Sequence, residues 1–289
     1  MPSVSEWVQG ARPRTLGAAI APAVVGTAAA SVDGPVIWWR AAAALAVALA
    51  LQVGVNYAND YSDGVRGTDT NRAGPLRLTA SGIARPGAVR NAAVLAFGVA
   101  AVIGLVLSLA VNPWLLVIGA AALAAGALYT GGPRPYGYSG FGELAVLVFF
   151  GFVATAGSAY VQVETVPAEA WWGAAAMGLL ACGILLANNI RDVPTDRIAG
   201  KRTLAVRIGA PAARRLYAAC IAGAFVATVA IGVLQPWAFL GLLALPLALG
   251  PVRLVLTREE PPALVAALVG TARLEVVLGA LLALGLALS

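Results

Sequence analysis

Nine apolar stretches occupy most of this chain, near 15–32, 36–58, 88–111, 114–131, 141–162, 169–190, 212–233, 236–256 and 268–288. About 20 apolar residues, coiled at about 1.5 Å per residue, match the hydrocarbon thickness of a bilayer. A backbone in lipid finds no water to bond with, and a helix satisfies its peptide groups within a single run. Turn-forming residues punctuate the breaks: Asp33-Gly34-Pro35, Asn112-Pro113, Gly131-Gly132-Pro133, Val166-Pro167, Gln235-Pro236 and Pro261-Pro262. Only 11% of residues are charged and 60% are hydrophobic, against about a quarter charged in soluble domains. The prediction is a single all-α domain over residues 1–289, a polytopic membrane protein with nine transmembrane helices. Ahead of the first run, residues 3 to 11 are predicted as a short interfacial helix anchored by Trp7. No short apolar segment with a small-residue cleavage site precedes that run, so its helix is expected to be retained.

Positive charge sets the orientation. With the N-terminus in the cytoplasm, the cytoplasmic segments hold Arg12 and Arg14, then Arg66, Arg72, Arg77, Arg85 and Arg90, then Arg134. Arg191, Arg197, Lys201, Arg202, Arg207, Arg214 and Arg215 follow, and finally Arg253, Arg258 and Arg273. Only Arg40 falls outside, a split of 18 to 1. The positive-inside rule then predicts a multi-pass protein of the cell membrane with its N-terminus in and its C-terminus out. The net charge of +6 is accounted for by that orientation and calls for no nucleic-acid partner. Cys182 and Cys220 both fall in apolar runs and read as small buried hydrophobes. Histidine is absent, which excludes imidazole ligands and imidazole bases.

Two acidic clusters interrupt the apolar pattern. The first runs from Asn56 through Asn59, Asp60 and Asp63 to Asp69, and the second from Asn188 and Asn189 through Asp192 to Asp196, about 130 residues later. Carboxylates are costly near lipid, so a pair of such clusters at matching depth marks a site. Asn56, Asp60 and Asp63 stand at i, i+4 and i+7, on one helix face, and Asn188, Asp192 and Asp196 stand at i, i+4 and i+8, with Asn189 at the edge. Pro194 is expected to kink or end the second helix and turn Asp196 toward the loop. Facing each other, the four aspartates would repel, and a hard divalent cation with oxygen ligands removes that penalty. The predicted metal set is Asn56, Asp60, Asp63, Asp192 and Asp196, with Mg2+ as cofactor. Basic residues follow each cluster: Arg66, Arg72 and Arg77 after the first, Arg202 and the chain's single lysine, Lys201, after the second. Acids for magnesium beside cations for phosphate oxygens are the chemistry of a diphosphate site. On the same membrane face, Tyr129, Arg134, Tyr136 and Tyr138 lie in a Gly/Pro-rich loop suited to wall an aromatic, anionic substrate, with Asn56, Asn188 and Asn189 beside it.

These residues resemble the UbiA superfamily of intramembrane aromatic prenyltransferases, and within it those that act on 1,4-dihydroxy-2-naphthoate. The resemblance rests on Arg12-Pro13-Arg14-Thr15-Leu16, on Asn59-Asp60 with Asp63, on Gly74-Pro75-Leu76-Arg77, on Tyr129-Thr130-Gly131-Gly132-Pro133, and on the stretch from Asp192 to Gly209. The superfamily's first motif continues to a further aspartate where this chain has Gly67, with Asp69 two residues on. The resemblance implies nine helices around a central cavity capped by the two motif loops. It implies that Asp60, Asp63, Asp192 and Asp196 are catalytic, holding magnesium and a polyprenyl diphosphate. Transfer to the naphthoate with loss of carbon dioxide would give demethylmenaquinol. Two alternatives stand beside it: another superfamily acceptor (hydroxybenzoate, homogentisate, haem or a phosphoribosyl compound) and a cation-coupled transporter.

The arginine distribution generates a topology test. A tag at Ser289 should be reachable from outside intact cells and one at the N-terminus only after permeabilisation; both termini on one side would refute nine crossings.

Overall fold

The computed structural model describes residues 2–67 and 76–289, and all regular secondary structure among them is helical. Helix α1 is Val4–Gly10, opened by a capping box in which Ser3 Oγ accepts from the Glu6 amide and the Glu6 carboxylate accepts from the Ser3 amide. Trp7 packs edge-on against Tyr57, and Tyr57 donates its hydroxyl to the Trp7 carbonyl at 2.8 Å. The expected helix around Trp7 is therefore present, and its aromatic anchor sits on the protein. After a 3₁₀ turn, Pro13–Thr15, come α2 (Gly17–Ala30), α3 (Trp38–Arg66), α4 (Pro86–Val111) and α5 (Leu115–Leu128). Helix α6 spans Gly142–Val163, with π geometry over Leu147–Ala156. Then follow α7 (Ala168–Ile198), the short α8 (Leu204–Ile208) and α9 (Ala210–Leu234). Helix α10 (Pro236–Thr257) begins as 3₁₀, and α11 (Pro261–Ala287) closes the chain.

Among the described residues, seven helices are long and apolar enough to cross a bilayer: α3, α4, α6, α7, α9, α10 and α11. Two shorter apolar helices of 14 residues each, α2 and α5, occupy the places of the first and fourth runs. Both are short for a physical reason: the 3₁₀ turn at Pro13–Thr15 takes the start of the first run, and the end of the fourth becomes the loop after Leu128. Helix α7 is the hub, packed against α2, α6, α9 and α11, and 67% of its apolar window is buried against 17% for α4. Large side chains such as Val94, Leu95, Leu109, Trp114, Val226 and Val233 remain exposed around the outside, the surface that a lipid environment covers.

Small residues bring the helices together. A Cβ added at Gly26 of α2 would lie 2.0 Å from the Thr155 carbonyl oxygen of α6, and one at Gly151 of α6 would lie 2.8 Å from the Gly178 backbone of α7. Close backbone approach through small residues is how helices pack in lipid, where hydrophobic expulsion between them is weak. Of the two expected effects of Pro194, a kink or an end, the end does not occur: α7 continues to Ile198. Proline removes one backbone bond there. The burial of Ile190, Asp192 and Val193 in the preceding turn keeps the coil intact.

Gly26→Ala should therefore lower thermal stability in detergent by about 1–3 kcal/mol through overpacking. Gly98→Ala, where an added Cβ meets nothing within 4 Å, should leave the melting temperature nearly unchanged.

Candidate active site

The last turns of α3 and α7, together with Arg77, Lys201 and Thr203 beyond them, line a cavity of about 230 Å³. Asn59 and Asp63 enter it from α3, and Asn188, Asn189, Asp192 and Asp196 from α7. Arg12, Arg77, Arg191 and Lys201 line the same space, as do Tyr129 and Tyr138. Its other wall is apolar, built from Val146, Phe150, Ala181, Ile184 and Leu185. One cavity thus has a charged end and a greasy end.

Opposite charges compensate the buried acids. Asp63 Oδ1 accepts from Lys201 Nζ at 3.3 Å and from the Tyr138 hydroxyl, and the Lys201 ammonium lies 4.5 Å from the Tyr138 ring centroid. Gly200, in the left-handed region at φ 71°, turns the chain so that the Lys201 amide donates to the Asp196 carbonyl at 2.8 Å. Arg191 grips Asp192 with two nitrogens, at 2.7 and 2.8 Å, and donates to Asn188 Oδ1 at 2.8 Å. Arg12 adopts φ 55°, which a non-glycine residue seldom does, just before the 3₁₀ turn. Such backbone strain clusters at functional sites.

Several predicted site residues are placed elsewhere. Asp60 is 1% exposed and absent from the cavity lining. Its two oxygens accept from the backbone amides of Leu78 (2.7 Å) and Thr79 (2.9 Å). It therefore pins the segment that carries Arg77 into the cavity. Asn56 also misses the cavity; its amide donates to the Ala11 carbonyl at 2.9 Å and to Thr15 Oγ1 at 3.1 Å, holding the N-terminal segment on α3. Tyr136 donates to the Ala125 carbonyl at 2.8 Å and packs edge-on against Tyr129. Burial pushes its phenol up to about 12, so it stays a neutral donor. Arg134 is exposed. Arg66, also exposed, donates to the Thr130 and Gly132 carbonyls and lies 5.6 Å from the Tyr138 ring, bracing the aromatic loop. Arg202 has an exposed side chain, and its amide donates to the Tyr138 carbonyl at 2.8 Å. Arg72 and Asp69 lie outside the described residues.

Among the described residues, no three acidic, cysteine or histidine side chains are gathered as a ready metal centre, so the expected convergence of four aspartates is not what forms. Three of them, Asp63, Asp192 and Asp196, share the cavity with Asn59. All four offer oxygen donors, the chemistry that a hard divalent cation requires, so the residues present fit magnesium. Three lining residues carry no site role in the sequence expectation: Asn59, Arg12 and Arg191. Asn59 stands four before Asp63 and shares its face, a signal that was available in the spacing. Arg191 is expected from the sequence only as an orientation charge, and Arg12 only as an orientation charge and a member of the Arg12–Leu16 stretch behind the resemblance.

A model described as the UbiA prenyltransferase family matches residues 19–274. A 1,4-dihydroxy-2-naphthoate octaprenyltransferase of Mycobacterium tuberculosis is 53% identical over 256 residues, covering 88% of this chain and 88% of that one. Its namesake in Escherichia coli is 36% identical over 300 residues, covering 98% of this chain and 95% of its own. The fold is similar to that of a UbiA homologue from Aeropyrum pernix K1, with a TM-score of 0.67, 16% identity and coverage of 93% of this chain and 96% of that one. It is also similar to that of a UbiA homologue from Archaeoglobus fulgidus bound to DMAPP and Mg2+, with a TM-score of 0.59, 14% identity and coverage of 96% and 99%.

The different placements of Asp60 and Asp63 can be separated. Asp60→Asn should cost about 1–3 kcal/mol by leaving a buried amide without its acceptor, and should quicken protease cleavage within 76–85. Asp63→Asn should leave that segment protected; equal sensitivity in both variants would contradict the assignment.

Proposed function

Because the chain belongs to the UbiA prenyltransferase family, we propose that it transfers a polyprenyl group from polyprenyl diphosphate to 1,4-dihydroxy-2-naphthoate, with decarboxylation, to give demethylmenaquinol. The single domain would cross the cell membrane nine times, with the site at the cytoplasmic face. The observation that carries this reading is the two-ended cavity, which suits an amphiphile with an anionic head and an apolar tail.

In this reading, Arg77, Lys201 and Arg12 bind diphosphate oxygens by charge-assisted hydrogen bonds. When bound among Asn59, Asp63, Asp192 and Asp196, magnesium supplies positive charge against the leaving diphosphate. Val146, Phe150 and Leu185 receive the first isoprene units, and Tyr129 and Tyr138 present ring faces that favour a nearby allylic cation. The C–O bond to the diphosphate breaks, and its electron pair leaves with the diphosphate. The ring carbon bearing the carboxylate bonds to the freed allylic carbon. The ring–carboxylate bond then breaks, its pair restores the aromatic ring, and carbon dioxide departs. Atoms and charge balance without a net proton transfer. A transporter places its ion at mid-depth on broken helices; here α7 is continuous and its acids lie in its last turns.

Purified protein should prenylate 1,4-dihydroxy-2-naphthoate and not 4-hydroxybenzoate, lose activity in EDTA and regain it with Mg2+; full turnover in chelator would refute the mechanism. Arg77→Ala and Lys201→Ala should each weaken use of the prenyl donor about tenfold to hundredfold, for loss of a charged contact of about 1.5–3 kcal/mol. Arg90→Ala and Arg253→Ala, both exposed and outside the cavity, should have almost no kinetic effect.

A further inference from the structure

Glu143 belongs to neither acidic cluster, yet it is only 6% exposed at the start of α6. It stands three and seven residues before Val146 and Phe150, on the helical stripe whose later members line the cavity. Its Oε1 accepts from Asn189 Nδ2 at 2.9 Å, and Asn189 is itself a lining residue. Its Oε2 is buried with no hydrogen-bond partner among the described residues. A carboxylate in the bundle with one oxygen committed to a lining amide is costly to keep and marks a functional constraint.

An ionised carboxylate only accepts, whereas an amide has a donating end and an accepting end. Bonding to Glu143 therefore fixes which way Asn189 points: its NH₂ turns to the carboxylate and its Oδ1 is left for the cavity. Along α7, Asn189 stands one turn after the apolar lining residue Leu185 and one turn before the acidic lining residue Asp192. In the prenyl-transfer reading that boundary is where the reacting carbon of a prenyl diphosphate would lie, with its head on one side and its tail on the other. An attacking aromatic ring has to reach the same level.

We propose that Glu143 is a positioning residue that sets the sense of the Asn189 amide, so that the cavity offers a hydrogen-bond acceptor to a phenolic hydroxyl of the aromatic substrate; this rests on the prenyl-transfer reading above. Accepting that hydroxyl proton raises the electron density of the ring and fixes its register against the allylic carbon. No base is needed, because the decarboxylative transfer releases no net proton.

The test is the ratio of affinities for a phenolic acceptor and for its deoxy analogue lacking that hydroxyl, measured by competition in detergent-purified protein. Glu143→Leu removes the acceptor that holds the Asn189 NH₂, so the amide is no longer fixed with its Oδ1 toward the cavity. The acceptor KM should rise by up to about tenfold, the size of one hydrogen bond, and the preference for the free phenol should shrink equally, with the prenyl diphosphate KM unchanged. Adding Asn189→Asp to Glu143→Leu restores an acceptor at the cavity wall and should recover the preference, which a merely structural role would not do. A Glu143→Leu protein that melts like wild type and keeps the full preference overturns the proposal, as does an equal rise in KM for both substrates. If wild type turns over 4-hydroxybenzoate and not the naphthoate, the acceptor assignment above fails while the Glu143 test runs on that phenol.

Discussion

The Lys201–Asp63 ion pair joins residues 138 positions apart, and the site depends on it. Both side chains are less than a tenth exposed, so neither is left to water. A buried charge without its partner costs several kcal/mol, which makes the pairing close to obligatory once α3 and α7 pack. Tyr138 completes the clamp by donating to the same carboxylate and laying its ring under the ammonium. The pair thus brings the end of α3, the aromatic loop and the turn after α7 into one place. Arg191 does the same locally for Asp192.

This compensation also suits the site to bind and release a charged substrate. The acids are held by cations, so in the proposed reading a metal–diphosphate pair entering the cavity would exchange one set of ion pairs for another. No large buried charge then has to be created or removed, and low-dielectric burial makes every such contact stronger than it would be in water. The apolar remainder of the lining offers an isoprenoid chain an environment like the lipid it comes from.

Much of this was legible in the sequence. The apolar runs reappear as helices, the two acidic clusters do meet, and Arg77 and Lys201, the basic residues expected beside the two clusters, do line one cavity. What spacing alone did not resolve was which polar group of each cluster faces inward. Asp60 and Asp63 are three residues apart and look alike as text. The Leu78 and Thr79 amides capture Asp60 from a segment that no periodicity predicts. Asn56 went the same way, taken by the Ala11 carbonyl and Thr15. In both cases a tertiary backbone partner decided the role of the side chain. Arg12 and Arg191 were hidden by the opposite problem: a charge that orients the chain in the membrane and a charge that binds a substrate read identically until a cavity is seen between them. Pro194 was overruled by burial of the preceding turn, as local propensity often is by packing.

The central claim is that the two acidic helix ends form a single binding site for a diphosphate. A double-mutant cycle on the affinity for a non-cleavable prenyl thiodiphosphate with Mg2+, measured by calorimetry, tests it most directly. Asp63→Asn and Asp192→Asn should each weaken binding about tenfold or more, and the double variant should lose much less than the product of the two, because the first loss already breaks the shared site. Strictly additive losses would mean that the two aspartates act on separate sites, and the account would be wrong.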